Sequence, residues 1–291
     1  VLAPHSELGD RFLIEVGRGC GRGCRFCLAR RIYHPARMRQ PSMLLERIQR
    51  ALRHTSRIGL VGAAISDYPW AEELFCGLAE LPVQVSVSSV RAESVTPLML
   101  AVLARSGQES LTLAPEAGTE ALRRRIGKSL TEESLFACIE RALAAGLSRF
   151  KLYFMLGLPG ETDDDAVAIG ELVGRIRTLQ RQMAISVSLN PFVPRPHTPL
   201  GREPMAPQEV IARRTRMVTS ALHRYGVHDV DVGSYRLAAA QTVLGRGGRE
   251  LGLAIVLASR SGGSVSDLRA AMARAGVSWK QALGPMPDDQ D

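Results

Sequence analysis

From Phe12 to Arg224, short apolar runs alternate with longer segments of helical period. That is the pattern of parallel strands joined by helices. Strands are predicted at Phe12–Val16, Ile58–Gly62, Val83–Ser88, Ser110–Ala114, Phe150–Leu156 and Ile185–Leu189. Helices are predicted at Met43–His54 with Ser42 as N-cap, at Trp70–Glu80, and from Thr96-Pro97 to a stop at Gly107. Two helical pieces follow at Thr119–Ile126 and Glu132–Ala145, the second capped by Thr131 and stopped by Gly146. Thr162 caps the next helix, and Asp163, Asp164 and Asp165 in its first turn complement the dipole. Val210, Met217, Val218, Ala221 and Leu222 give a last apolar stripe through Arg224. No GxGxxG opens a helix, and six β/α units in succession fit a partial barrel. The strand rhythm is lost after Gly233, so residues 1–232 are expected to form the barrel and 233–291 a small helical C-terminal appendage. Its tail, Pro285–Asp291, is expected to be disordered.

Composition narrows the class without changing this picture. A chain of 291 residues, 45% hydrophobic and 23% charged, has room for one large α/β unit with a full core. No apolar run approaches the roughly 20 residues that span a bilayer, and no secretory signal is visible. The chain starts with Val and enters its first strand by residue 12, so an upstream segment is expected. Five cysteines, three of them clustered, argue against a disulfide framework, and reduced thiols point to the cytoplasm. Cys76 and Cys138 sit alone in helical patterns and are expected to be small buried hydrophobes. The net charge of +8 suits an anionic partner, but Lys occurs only at 128, 151 and 280. An arginine bias of that kind also follows from genome composition, and nucleic acid is not favoured.

The clustered cysteines carry the chemistry. Cys20, Cys24 and Cys27 fall within eight residues directly after the first strand, among glycines at 17, 19, 21 and 23. Three thiolates on one loop hold three corners of a metal centre and leave the fourth open. Soft sulfur selects an iron–sulfur cluster or zinc. A structural zinc site closes with four ligands, and the nearest further candidate is His34. A structural cluster and a metal-free cysteine loop stay open on spacing alone.

The CxxxCxxC spacing with Phe26 before the last cysteine resembles the radical S-adenosylmethionine (SAM) enzymes. The resemblance covers about residues 12–200 and implies a partial (β/α)6 barrel. It also implies a 4Fe-4S cluster on Cys20, Cys24 and Cys27, with SAM on the open iron. The strand ends, where such barrels place their sites, carry matching residues. Gly62 and Ala63 match the turn presented to the SAM amine, without the acidic residue sometimes found there, and a tight strand-to-helix turn is the plainer alternative. Ser88 and Arg91 follow the third strand. Arg91 is suited to SAM's carboxylate, or is one exposed arginine among many. Glu116 matches the ribose-binding acid, against a Glu that only complements a helix dipole. Lys151, Tyr153 and Met155 share one face of the fifth strand, and the turn Gly157-Leu158-Pro159-Gly160-Glu161-Thr162 resembles the adenine-contacting turn through Gly157 and Leu158. Asn190–Pro199, rich in proline, resembles a segment of the methylthiotransferase and cobalamin-associated branches. His197 within it is a candidate substrate-facing acid/base or a plain loop residue.

The expectation is therefore a radical SAM enzyme that cleaves SAM reductively to a 5′-deoxyadenosyl radical. Its substrate is unidentified, and methylation or another C–H functionalisation is the expected outcome. It would draw electrons from a reductant such as flavodoxin or ferredoxin. Cobalamin would bind, if at all, through a domain absent from this chain. The alternatives are a tRNA or protein methylthiotransferase-like enzyme lacking its upstream domain, a non-catalytic iron–sulfur or RNA-binding protein, and a zinc-stabilised α/β binding domain.

Overall fold

The computed structural model describes residues 11–287. Three strands, β1 (Phe12–Glu15), β2 (Arg57–Val61) and β3 (Gln84–Val87), form one parallel sheet in that order. Four more, β4 (Ser110–Glu116), β5 (Arg149–Leu156), β6 (Ala184–Pro191) and β7 (Asp229–Val232), form a second parallel sheet. The arrangement is the partial barrel that the alternation implies. β7 is a seventh strand beyond the six predicted. Its sequence Asp-Val-Asp-Val offers no apolar run, and as an edge strand it is largely exposed.

Between β3 and β4 no ladder forms. The Val85 and Val87 amides of β3 donate instead to the Ser106 hydroxyl (2.9 Å) and the Gln108 side-chain oxygen (3.2 Å). One backbone bond crosses further on, from Val90 N–H to Thr112 O at 3.2 Å.

Helices follow the strands: α1 (Pro41–Ala51), α2 (Ala71–Ala79), α3 (Pro97–Arg105), α4 (Glu120–Arg125), α5 (Glu132–Ala144), α6 (Asp163–Leu179) and α7 (Gln208–Arg224). Thr96, Thr119, Thr131 and Thr162 each accept from an N3 amide, and Asp165 completes a capping box with Thr162. The expected cap at Ser42 is not one. Pro41 occupies the first helical position, where its fixed φ is already helical, and it holds Gln40 extended as the N-cap. The alternation of β5 is as expected: Phe150, Leu152, Phe154 and Leu156 are buried while Lys151, Tyr153 and Met155 are half-buried. Cys138 is buried as expected, whereas Cys76 is exposed on α2.

Beyond β7 come α8 (Tyr235–Arg246), α9 (Leu251–Arg260), α10 (Val265–Arg274) and α11 (Trp279–Leu283). They share a small apolar cluster that includes Val243, Ala254, Leu268 and Met272. Of the tail expected to be disordered, residues 288–291 lie outside the described residues, while Met286 N–H donates to Arg202 O at 2.9 Å.

Gly118, just after β4, sits against α6 so closely that a Cβ there would lie 2.4 Å from Ile169 N and 2.6 Å from Ala168 C. Backbone atoms cannot yield as a flexible side chain does. G118A is therefore expected to destabilise by about 1–3 kcal/mol, as overpacking does. Gly252 in α9 has open space around its Cβ position, and G252A is expected to stabilise by up to about 1 kcal/mol. Urea unfolding of both variants measures this, and equal midpoints would refute it.

Candidate functional site

The cysteine loop leaves β1 and returns through a two-stranded antiparallel ribbon, Gly17–Arg18 with Arg37–Met38, so its base is closed. Three anchors then fix its course. The Arg22 guanidinium forks onto both oxygens of Asp67 at 2.8 and 2.6 Å. Arg25 N–H donates to Ile126 O at 2.8 Å, and Arg25 O accepts from Leu200 N–H at 3.1 Å. The loop is thus tied to the turn after β2, the end of α4 and the proline-rich segment after β6. Cys20, Cys24 and Cys27 are all half-buried. Phe26 turns inward against a cluster of Ala117, Leu122, Ile126, Leu158, Phe192 and Leu200. That places the aromatic of the cysteine motif beside Leu158 of the Gly157–Thr162 turn.

Facing the loop is Glu116, at the end of β4. A register shift between Leu113 and Glu116 and a left-handed φ of 72° turn its side chain out of the ladder. The fully buried Arg123 fixes the turn that follows, donating to Ala117 O (2.9 Å), Gly118 O (3.2 Å) and Leu130 O (2.9 Å). Glu116 pairs with Lys128 at 3.2 Å. Burial pushes the Glu116 carboxyl above its ordinary value, against the pull of Lys128 and Arg91. Burial likewise pushes the Cys24 thiol up, and the same two cations oppose it. Cys24, Glu116, Lys128 and Arg91 are therefore one electrostatic group.

Arg91 does not meet this group as a free cation. It pairs with Glu93 at 2.8 Å and Asp67 at 3.4 Å, and its Nε, though buried, has no hydrogen-bond partner. Lys128 escaped the sequence reading. The available signal was its identity, since a buried lysine is conspicuous in a chain whose cations are almost all arginine. Asp67 was missed too, because its role depends on Arg22, 45 positions away.

The turn after β5 is locked from within. Gly157, at φ 83°, has Ile211 Cδ1 and Ala206 Cβ within 2.7 Å of where its Cβ would stand. Its N–H donates to Glu161 Oε2 at 2.5 Å and is thereby engaged inside the turn. Arg214 of α7 donates to the same oxygen and to Glu161 O, both at 2.6 Å, and to Asp163 at 3.0 Å. Leu158 is buried in the cluster that Phe26 joins.

The remaining candidates divide. Gly62 lies beside Gly17 at the start of the cysteine loop, and Ala63 is exposed next to it. Lys151 sits over the Tyr153 ring at 5.2 Å. It is six positions before Gly157, about 20 Å down the strand, so it serves the lower interior rather than the mouth. Ser88 lies apart: it is exposed and lines a cavity of about 560 Å³ between the two sheets with Ser86, Gln108, Ser110 and Arg149. His197 is exposed at a left-handed φ of 60°.

The donor set fits an iron–sulfur cluster better than a single ion. Among the described residues, no group of three or more His, Cys, Asp or Glu converges as ligands of one metal ion. Corners of a multi-iron cluster stand further apart than ligands of one ion, and thiolates are soft donors suited to iron and sulfide. Arg91 and Lys128 supply the positive charge that favours thiolate at Cys24. Arg91 Nε, buried beside Asp67 at 3.4 Å without completing a hydrogen bond, leaves polar capacity next to Cys24.

The Radical SAM superfamily model matches residues 14–173. An uncharacterized protein of Methanocaldococcus jannaschii is 33% identical over 257 residues, covering 86% of this chain and 56% of that protein. The chain spans about half the length of the curated relatives it matches. Among solved structures, the radical S-adenosylmethionine methyltransferase TsrM from Kitasatospora setae, with cobalamin and a 4Fe-4S cluster bound, shares the fold at a TM-score of 0.54. It is 14% identical, and the match covers 66% of this chain and 36% of that one. Coproporphyrinogen III oxidase from Escherichia coli, a radical SAM enzyme, gives 0.52 at 15% identity, covering 80% and 58%.

The Glu161–Arg214 pair gives a pH test. Burial pushes the Glu161 carboxyl from 4.5 up to about 7, against its hydrogen bond from Gly157 and the charge of Arg214. Between those values the folded chain keeps a proton that the unfolded chain has released, so this group's stabilisation declines as pH climbs from about 4.5 to about 7. The urea midpoint is expected to fall over that window, and to fall less in E161Q. At about pH 8, R214A leaves the carboxylate buried and unpaired, a loss of about 3–5 kcal/mol. An R214A midpoint equal to that of the unsubstituted chain would exclude the pair as a support of the turn.

Proposed function

This chain belongs to the radical SAM superfamily, and from that membership we propose that Cys20, Cys24 and Cys27 hold three irons of a 4Fe-4S cluster whose fourth is left to SAM. The superfamily is one of enzymes, and 4Fe-4S and SAM are its cofactors. The observation that carries the assignment is the convergence of Cys24 with Glu116, Lys128 and Arg91 at the strand ends. What the bound pair supplies is one-electron cleavage of a sulfonium, giving methionine and a 5′-deoxyadenosyl radical able to take hydrogen from a substrate carbon.

The chain's own residues do the rest. Glu116, turned inward by its left-handed backbone, accepts the two ribose hydroxyls. Lys128 and Arg91 present positive charge to the carboxylate of the methionine part. Leu158 and Phe26 give the adenine an apolar surface, and Gly157 lets the turn that carries Leu158 pack against Ile211 and Ala206. Gly62 and Ala63 lie where a strand-end backbone meets the SAM amine, and the barrel wall keeps water from the radical. A carrier of electrons alone has no use for this set of groups, which disfavours a non-catalytic iron–sulfur protein. We read the outcome as methylation or another C–H functionalisation, with flavodoxin or ferredoxin as reductant, and residues 233–291 as an appendage to a barrel ending at 232. Support for that finer reading is the likeness of Asn190–Pro199 to the cobalamin-associated branch.

Anaerobic reconstitution tests the proposal. About four irons per chain are expected, with 5′-deoxyadenosine formed on adding dithionite and SAM. C24A should lose both. E116Q should keep its iron but bind SAM about tenfold or more weakly, as loss of a charged hydrogen-bond acceptor implies. One zinc per chain, or a stable cluster that never cleaves SAM, would sink the proposal.

A further inference from the structure

The inward faces of β4, β5 and β6 carry a polar row that has no part in the SAM site described above. Strand pairing sets Thr112 of β4 and Ser186 of β6 on either side of Lys151 of β5. All three are half-buried. They lie on the face away from the apolar core, which takes Leu111, Phe150, Leu152 and Val187 from the same strands. Tyr153 stands two residues above Lys151, beside Ser188. Higher still, the inward positions of β4 and β5 are apolar, Ala114 and Met155.

The row is unpaired within the chain. Among the described residues, Lys151 Nζ, Thr112 Oγ1, Ser186 Oγ and Tyr153 Oη have no hydrogen bond or ion pair, and Lys151 makes only its contact with the Tyr153 ring at 5.2 Å. Two acids border this wall from β7. Asp231 lies beside Ser188, whose hydroxyl donates to it at 3.4 Å, and Asp229 lies beside Ser186. Asp229 is exposed at the sheet edge, two strands and about 10 Å from Lys151. Neither acid forms an ion pair with the lysine. A cavity of about 560 Å³ lies alongside, lined by Thr112 with Ser86, Ser110, Arg11 and Arg149. Glu109, the acidic residue on its wall, pairs with Arg149 at 3.1 Å.

An ammonium between two hydroxyls offers donors only an anion can use together, and hydrogen bonds to a charged acceptor are the strong ones. A half-buried lysine without a counter-ion is uncommon. The depth of the row is as informative as its chemistry. Glu116 pairs with Phe154, three residues above Lys151, so the row lies about 10 Å beneath the acid assigned to the ribose. The carboxylate of SAM has Lys128 and Arg91 beside Cys24 and has no need of a cation at that depth. The cavity falls in the range of about 300–1,000 Å³ that small-molecule sites occupy. We propose that Lys151, Thr112 and Ser186 anchor the substrate, and that the substrate is an elongated small molecule with a carboxylate or phosphate at its deep end. Its less polar part runs up past Tyr153 to Ala114 and Met155, which puts a carbon at the level of Glu116. The proposal rests on the radical SAM reading of the mouth, because a radical formed there is what gives the depth of the row a use.

Lysine occurs only at 128, 151 and 280, so lysine labelled with carbon-13 at Cε gives three NMR signals, assigned through K151M and K280M. The reconstituted chain with SAM, kept oxidised so that no radical forms, is titrated with hexanoate and with hexyl phosphate at a constant ionic strength of about 0.1 M. The Lys151 signal should shift saturably, and that of Lys280, exposed on α11, should not. The tighter probe identifies the anionic group. By calorimetry, K151M should weaken binding of that probe about tenfold or more and T112V about threefold or more, while K280M binds as the unsubstituted chain does. Iron content and 5′-deoxyadenosine formation with dithionite should persist in K151M, which separates a substrate anchor from a SAM ligand. A shift that chloride reproduces, equal weakening by K151M and K280M, or loss of SAM cleavage in K151M would each overturn the proposal. A chain that loads iron and cleaves SAM but shows no Lys151 shift with either probe would overturn it alone. A chain that takes no iron yet shows the Lys151 shift would keep the anion anchor and overturn the reading of the mouth.

Discussion

The fork of Arg22 onto Asp67 is the contact on which the geometry of the site most depends. Ordering a residue of flexible chain costs about 1–2 kcal/mol, and a loop with glycines at 17, 19, 21 and 23 has much to lose. A bidentate pair in a half-buried setting, with one side chain 37% and the other 14% exposed, fixes direction as well as position. Asp67 also accepts from Ser94 Oγ at 2.6 Å and pairs with Arg91. One carboxylate therefore sets the course of the cysteine loop and the posture of Arg91.

From there the charges alternate across the mouth. Asp67 and Glu93 hold Arg91, while Lys128 holds Glu116, and Arg91 and Lys128 both act on Cys24. Each ion is partly buried, so each depends on its neighbours, and removing one leaves another uncompensated. An arrangement of this kind is rigid before any ligand arrives, which is the condition under which fixed dipoles and charges contribute most to catalysis.

Much of this was legible in the sequence where it was local. Thr96, Thr131 and Thr162 announce their helices because a cap needs only a hydroxyl and the next three residues. The cysteine spacing and the Gly157–Thr162 turn are local in the same sense. Ser42 misled because Pro41 competes for the same boundary and wins by its fixed φ. β7 was hidden because an edge strand of Asp-Val-Asp-Val does not need an apolar run. Asp67, Lys128 and Arg214 were illegible for a different reason. Their partners are 45, 12 and 53 positions away, and no periodicity links them.

The open joint between β3 and β4 gives the cysteine loop a second character. Ser106 and Gln108 cap the amides that a continuous sheet would have paired, so the two sheets meet without a ladder. Arg22 fastens the loop to the first sheet's side through Asp67, and Arg25 fastens it to the second through Ile126. Mechanically the loop is a strap across a seam. Behind it the two sheets share one apolar core, so the strap crosses a seam that is open in its hydrogen bonding and closed in its packing.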